Sequence, residues 1–153
     1  MSANASRRRF IMAAAAGALM GNARICSGVS VPGPLQPLLQ KITGGDALRE
    51  GRVTLEIPHL SDNGHLVPLK VSVASAMTEA DHVRSIHVLS ERNPRPVIAV
   101  FHLNPQCGRA EIATRIRLNG AQHILVVAAM SDGTYWGAAA EVIVTETACL
   151  DAT

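Results

Sequence analysis

From Val53 onward, apolar and polar residues alternate in short runs that are separated by turn residues. Val53, Leu55 and Ile57 alternate with polar neighbours, and Pro58 closes this first run. A period of two places every second side chain on the same face of an extended chain. The pattern therefore predicts strands that bury one face, and it excludes a helical body.

Six further strands are expected, of which 97–103 is a compact apolar run and 123–130 is almost continuously apolar, as is typical of a central strand. Asp62-Asn63-Gly64 predicts the turn before the second strand, and Ser131-Asp132-Gly133-Thr134 predicts a hairpin turn before the last one. The expected strands are 53–57, 67–73, 83–90, 97–103, 112–118, 123–130 and 135–144. Seven short strands at nearly regular spacing predict an all-β, immunoglobulin-like β-sandwich over residues 47–145.

One short helix is expected before the strands. Leu35, Leu38, Leu39 and Ile42 recur at the spacing of a single helical face, and Gly44-Gly45 ends the pattern. Residues 31–46 are therefore interpreted as a linker and a short helix.

The first thirty residues have the pattern of an export signal. Ser6-Arg7-Arg8-Arg9-Phe10-Ile11 is a twin-arginine sequence, and the apolar run 11–20 after it is about half as long as a membrane span. We therefore expect residues 1–30 to hold a twin-arginine signal, marked by Arg7 and Arg8, and its cleavage region. The mature protein would be periplasmic, without a membrane span.

Charge and composition exclude several classes of function. Without Arg7, Arg8 and Arg9 the 14 basic residues fall to 11, against 12 acidic residues, so the mature chain carries no net positive charge. Aromatic residues make up only 3% of the chain, and nucleic acid is therefore not an expected partner.

No arrangement typical of an enzyme is found. The six histidines lack the spacing of a metal site, no glycine-rich loop opens a helix, and no serine lies in a nucleophile motif. Glu79 and Asp81 fit a capped turn or an interface contact, and Trp136 fits the core or an interface. We expect no metal, no cofactor and no catalytic activity of the chain itself.

The three cysteines are the remaining candidates for chemistry. Cys26 lies near the expected cleavage region, and Cys107 lies in the turn 104–109, where a thiol could be reactive, paired or inert. Cys149 follows the last strand, in a tail at 146–153. From Val144, five residues extend ~17 Å, which suits a carrier thiol that enters the cleft of another protein. An accidental cysteine, or a disulfide with Cys107, is the alternative.

Several separate segments resemble the SoxY family, and together they cover nearly the whole chain. The resemblance lies in 77–87 (MTEADHVRSIH), 91–96 (ERNPRP) with 101–103 (FHL), 108–118 (GRAEIATRIRL) and 130–136 (MSDGTYW). The twin-arginine start is also similar.

The resemblance implies a sulfur carrier of a thiosulfate-oxidising system. Members are immunoglobulin-like sandwiches that pair with a SoxZ subunit and hold oxidation intermediates covalently on a cysteine near the C-terminus. They present this cargo to SoxXA, SoxB and, in some systems, SoxCD enzymes. By position, the carrier cysteine corresponds to Cys149, and Cys107 is a secondary thiol. The uncharged strand 97–103 is consistent with a constitutive partner.

The tail departs from the family pattern. The usual ending is Gly-Gly-Cys-Gly-Gly, whereas this chain has Thr147-Ala148-Cys149-Leu150-Asp151. These residues make the tail stiffer and bulkier, and its acidic neighbours disfavour the thiolate. Two alternatives therefore stay open, namely a structural partner subunit that is not loaded and a carrier for a different sulfur compound.

Overall fold

A computed structural model describes residues 29–146 of the chain. The expected signal with Arg7 and Arg8, the cysteine at position 26 and the carrier cysteine at 149 lie outside the described residues. The expected sandwich and the helix before it lie inside, together with Cys107.

The predicted helix is present near the start of the described part. A 3-10 turn at Gly33–Leu35 leads into α1, Gln36–Thr43. Gly44 follows with a φ of +66°, a left-handed conformation that glycine adopts without strain, and it ends the helix as the sequence predicts.

Nine strands follow the helix within residues 29–146. They are β1 (Leu48–Arg49), β2 (Val53–Glu56), β3 (Leu60–Asn63), β4 (Val67–Val73), β5 (Val83–Ser90), β6 (Val97–His102), β7 (Ala110–Ile116), β8 (Gln122–Met130) and β9 (Tyr135–Glu146). The seven predicted strands correspond to β2 and to β4 through β9.

Two short strands, β1 and β3, were not predicted. Both pair with β9 in parallel, Leu48 opposite Tyr135 and Leu60 opposite Ile143. β1 has only two residues, and β3 has the polar sequence Leu-Ser-Asp-Asn, so neither shows the alternation that reveals a strand. The turn expected at 62–64 was placed too early, because Asn63 still pairs with β9 and its side chain accepts a hydrogen bond from the amide of His65.

The strands form two sheets that share the main hydrophobic core. The larger sheet has the order β1-β9-β8-β5-β6, with β3 also paired to β9, and the smaller sheet has the order β2-β4-β7. β4 supplies Val67 and Val71 to the core, and β8 supplies Ile124 and Val126. All four are fully buried, and the predicted sandwich is confirmed.

α1 covers the other face of the larger sheet. Its Leu39 and the preceding Leu35 pack with Leu89, Leu125 and Val127 in a second buried cluster. β8 is therefore buried on both faces, which explains why its sequence is almost continuously apolar rather than alternating.

The sandwich has two ends, which we call the hairpin pole and the tail pole. The hairpin pole holds the turn 131–134 between β8 and β9, and the tail pole is the end at which β9 stops, at Glu146. Because β9 has 12 residues, the poles lie ~35 Å apart at ~3.3 Å per residue.

Candidate functional site: the base of the cysteine tail

The end of β9 is held by β3 and by Gly64, the first residue of the turn that follows β3. β3 pairs with β9 through Asn63 and Glu146, and the Thr145 hydroxyl donates a hydrogen bond to the carbonyl oxygen of Asp62 at 3.1 Å. The amide of Gly64 donates to the carbonyl oxygen of Glu146 at 2.9 Å. The tail therefore starts from a fixed point.

Gly64 is required at this position because there is no room for a side chain. Its carbonyl oxygen accepts a hydrogen bond from the amide of Leu118 at 2.8 Å, so its backbone is held between two other segments. A Cβ atom at Gly64 would lie 2.6 Å from the backbone oxygen of Leu118 and 2.7 Å from that of Glu146. Both distances are shorter than any ordinary carbon–oxygen contact. The close approach of three backbones thus depends on glycine.

Fewer residues lie between the end of the sandwich and Cys149 than the sequence suggested. The last strand was expected to end at Val144, but pairing with β3 extends β9 to Glu146. Cys149 is the third residue after Glu146, which gives the Cys149 Cα a reach of at most ~11 Å from the Glu146 Cα. The earlier figure of ~17 Å from Val144 overstates how far the thiol can move away from the sandwich.

Cys107 lies at the hairpin pole, far from the base of the tail. The amide of Leu103, after β6, donates to the carbonyl oxygen of Arg84, and the Arg84 Nε donates to that of Met130 at 2.9 Å. The 3-10 turn Pro105–Cys107 follows directly. This part of the chain therefore leaves the larger sheet beside the β8–β9 turn.

The Cys107 thiol is exposed, as expected from its turn. Its Sγ lies 3.6 Å from the side-chain oxygen of Asn104, and it has no disulfide partner within residues 29–146. A disulfide joins Cα atoms no more than ~7 Å apart. That distance and the ~11 Å reach of Cys149 together cover only about half of the ~35 Å between the poles. We therefore expect no Cys107–Cys149 disulfide within one folded chain.

Two of the histidines contact neighbouring polar side chains. His123 Nδ1 lies 2.9 Å from a carboxylate oxygen of Glu91, and this contact holds the pKa of Glu91 below its usual value. His87 is half-buried with its Nε2 3.1 Å from the Ser85 hydroxyl. Burial, and secondarily the charge of His102, lower the pKa of His87. Within residues 29–146, no three metal-ligating side chains come together.

Asp81 and Trp136 belong to a structural cluster at the hairpin pole. The Arg52 guanidinium donates to Asp81 at 3.1 Å, and the amide of Ala76 donates to the same carboxylate. These hydrogen bonds, that of Arg52 first, keep the pKa of Asp81 low. Arg49 and Arg52 also stack on the Trp136 ring, at 5.8 and 5.2 Å from its centroid. Asp81 thus caps its loop, as expected, whereas the two arginines carry no sequence pattern that could have predicted this contact.

A shallow groove of about 980 Å³ crosses the smaller sheet. Its lining includes Leu55, Ile57, Pro58, Leu66, Lys70 and Arg115. Lys70 is engaged by Glu56 at 3.7 Å and by Glu111 at 3.4 Å. The groove brings together no nucleophile and base, and it offers no catalytic constellation among the described residues.

The comparisons with solved structures agree with this fold. The SoxY sulfur carrier protein of Chlorobium limicola f thiosulfatophilum is similar with a TM-score of 0.61 and 23% identity, over 74% of this chain and 97% of that chain. A superoxide reductase (neelaredoxin) of Ignicoccus hospitalis has a TM-score of 0.55 at 16% identity, over 61% of this chain and 79% of that chain. At these identities the likeness shows the fold alone.

One family profile matches most of the chain. No curated protein sequence is significantly similar to it. None of the helices in the described part has the length and apolar character needed to cross a membrane. Residues 39–149 match the profile of the family described as sulfur oxidation protein SoxY, and this match runs from α1 through the sandwich to Cys149. The chain therefore belongs to the SoxY family.

Proposed function

We propose that this protein is a periplasmic sulfur carrier that holds intermediates of thiosulfate oxidation covalently on Cys149. The observation that carries the proposal is the family match, which extends across the whole sandwich and includes Cys149. The fixed base of the tail at Glu146 supports it, because a rigid base limits where the thiol can be presented. SoxY is a carrier protein and not an enzyme, which agrees with the absence of a catalytic motif in the sequence.

The proposed loading step is an oxidation. The Cys149 sulfur and the outer sulfur of thiosulfate form an S–S bond, while one proton and two electrons leave, and a SoxXA-like cytochrome accepts the electrons. The product is a cysteine S-thiosulfonate. In the second step, on a SoxB-like hydrolase, the oxygen of water bonds to the sulfone sulfur and the adjacent S–S bond breaks. Sulfate and two protons leave, and a persulfide anion remains on Cys149. SoxCD-like enzymes would oxidise this remaining sulfur in systems that contain them.

The carrier depends on its partners for activation. A free thiol with an ordinary pKa of ~8.5 is only a few per cent thiolate at neutral pH. Glu146 lies three residues from Cys149 and takes part in no ion pair within residues 29–146. Its negative charge works against the thiolate, so the loading enzyme must supply positive charge around the tail.

A SoxZ-like subunit is the proposed constitutive partner, and β6 is its proposed contact. β6 pairs with β5 on one side only, which leaves its outer edge open. Val97 and Val100 on this strand are 38% and 39% exposed, and the strand contains no Asp, Glu, Lys or Arg. Such an edge readily adds another strand.

The residues around β6 favour a partner other than a second copy. Residues 92–110 contain three arginines and no acidic residue, so two copies would bring like charges together. Arg95 and Arg109 form no ion pair within the described residues. An apolar strand flanked by carboxylates fits this edge best, and it would come from a different chain.

The periplasmic location rests on the twin-arginine sequence at Arg7 and Arg8. This export route carries folded proteins, so the carrier and its partner could cross the membrane as one complex. A pre-formed complex would also protect the open edge of β6 during export.

Intact-protein mass spectrometry tests the proposed function. The full chain is incubated with thiosulfate, the SoxZ-like subunit and the SoxXA-like enzyme, and peptides around Cys149 are mapped before and after reductant. We expect a reducible adduct of two sulfur and three oxygen atoms on Cys149, lost in Cys149→Ser and kept in Cys107→Ser.

Other results would select the alternatives. An adduct of a different mass on Cys149 would identify another sulfur compound as cargo. A bare thiol together with normal partner binding would leave the role of a structural subunit. An adduct that persists in Cys149→Ser would contradict the assignment of the carrier residue.

A further inference from the structure

Three large apolar side chains are exposed around the base of the tail. Leu66 is 60% exposed, Leu60 is 56% exposed and Ile143 is 39% exposed. Leu60 and Ile143 lie side by side across the β3–β9 pairing. Leu66 follows Gly64, whose amide bonds to Glu146, by two residues, and it also lines the adjoining end of the groove on the smaller sheet. We call these three residues the tail-base patch.

Because Cys149 has a short reach, an enzyme that binds its thiol must also come close to this patch. The Cys149 Cα stays within ~11 Å of Glu146, and Ile143 lies ~10 Å from Glu146 along β9. An enzyme cleft that encloses the thiol must therefore bring its rim down onto the surface that surrounds Glu146. The patch lies on that surface, and burial of its apolar side chains against the rim would stabilise the complex.

The charges beside the patch indicate the chemistry of that rim. Asp62 and Glu146 lie at the base of the tail, and neither forms an ion pair within the described residues. A cationic group on the rim would neutralise them, and the same group would favour the thiolate of Cys149. The fit is therefore to an apolar rim that also carries positive charge.

We propose that Leu60, Leu66 and Ile143 form the docking surface for the enzyme that loads Cys149, a surface distinct from the β6 edge. This inference rests on the proposed carrier function. The occupant is the apolar, positively charged rim of the cleft that receives the tail. The patch sets the KM for the carrier, and the thiol supplies the reacting atom.

The test measures the initial rate of loading as a function of carrier concentration. The full chain and the double variant Leu60→Ser/Leu66→Ser are compared, each saturated with the SoxZ-like subunit. We expect KM for the double variant to rise about tenfold or more, as is typical when buried apolar contacts are removed from an interface. The rate of Cys149 alkylation by iodoacetamide should stay unchanged, because this small reagent needs no docking.

Gln40→Ser is the control, since Gln40 is exposed on α1 and belongs neither to the tail-base patch nor to β6. Its KM should equal that of the wild-type chain at saturating SoxZ-like subunit.

A second variant inserts four glycines between Glu146 and Cys149, which adds ~14 Å of reach. In this longer tail the patch substitutions should raise KM less.

Each outcome decides the proposal. A raised KM in the patch variant, with a smaller effect in the longer tail, supports it. An unchanged KM in the patch variant overturns the docking surface but leaves the carrier function intact. A wild-type chain that is never loaded on Cys149 overturns both.

Discussion

The amide of Gly64 donates a hydrogen bond to the carbonyl oxygen of Glu146 at 2.9 Å, although the two residues are 82 positions apart in the chain. This bond joins the turn before β4 to the last residue of β9. The carbonyl of Gly64 is bonded in turn to Leu118, so β4, β7 and β9 are tied together at the tail pole. The base of the carrier tail is thereby connected to both sheets.

Gly64→Ala should destabilise the protein more than any ordinary glycine replacement. The added methyl group would meet two backbone oxygens that cannot move independently, so we expect a loss of about 1–3 kcal/mol in the free energy of unfolding. Urea unfolding followed by circular dichroism measures the loss. Gly33→Ala is the control, because a Cβ at Gly33 meets nothing within 4 Å. Equal stabilities of the two variants would contradict the tight packing at Gly64.

Val100→Lys should weaken the complex with the SoxZ-like subunit. A lysine on the open edge of β6 places a charge where the partner strand would pack, and we expect the Kd to rise at least tenfold. Isothermal titration calorimetry on the purified subunits measures it. Ile143→Lys, at an equally exposed position on β9, should bind the partner normally. A normal Kd for Val100→Lys would exclude the β6 edge as the interface.

Oxidation of the folded chain should not produce an internal Cys107–Cys149 disulfide. Cys107 lies at the hairpin pole and the tail begins at the tail pole, and the reach of Cys149 together with the span of a disulfide covers only about half of the separation. Non-reducing peptide mapping after treatment with diamide should show this pair only between chains, in amounts that increase with protein concentration. A concentration-independent internal disulfide in the folded protein would contradict the placement of Cys107.

Stability should fall as the pH is lowered through the range in which histidine titrates. The pKa of His87 is lowered in the folded state, so below its ordinary value of 6.5 the unfolded chain binds a proton that the folded chain excludes. The contribution of the neutral His87 to the free energy of unfolding is therefore complete above pH ~6.5, and it decreases as the pH falls towards the folded-state pKa of His87. His87→Gln should flatten this decrease in urea unfolding between pH 7.5 and 5.5. His65→Gln, at an exposed turn, is the control that should retain it.

The sequence was sufficient to predict the main strands of the sandwich. Val67–Val73 and Val83–Ser90 were predicted with the bounds that the structure has, because alternation and neighbouring turn residues define them. The helix was also predictable, since its apolar face is regular and Gly44 ends it. These features depend on local patterns, which a sequence records directly.

The base of the tail could not be predicted in the same way. β3 is a polar segment that pairs with β9 through its backbone, and backbone pairing leaves no mark on side-chain pattern. The extension of β9 from Val144 to Glu146 follows from that pairing, and so does the shorter reach of Cys149. The need for Gly64 also depends on residues more than fifty positions away.

The parallel pairing of β3 with β9 also determines how the tail base responds to force. A pull on the tail in the direction of β9 would act at Glu146, where this pairing ends. The hydrogen bonds between β3 and β9 lie across that direction, so they are loaded together in shear rather than opened one after another. A strand held in this way resists extraction, and repeated withdrawal of the thiol from an enzyme cleft should leave the end of the sandwich folded.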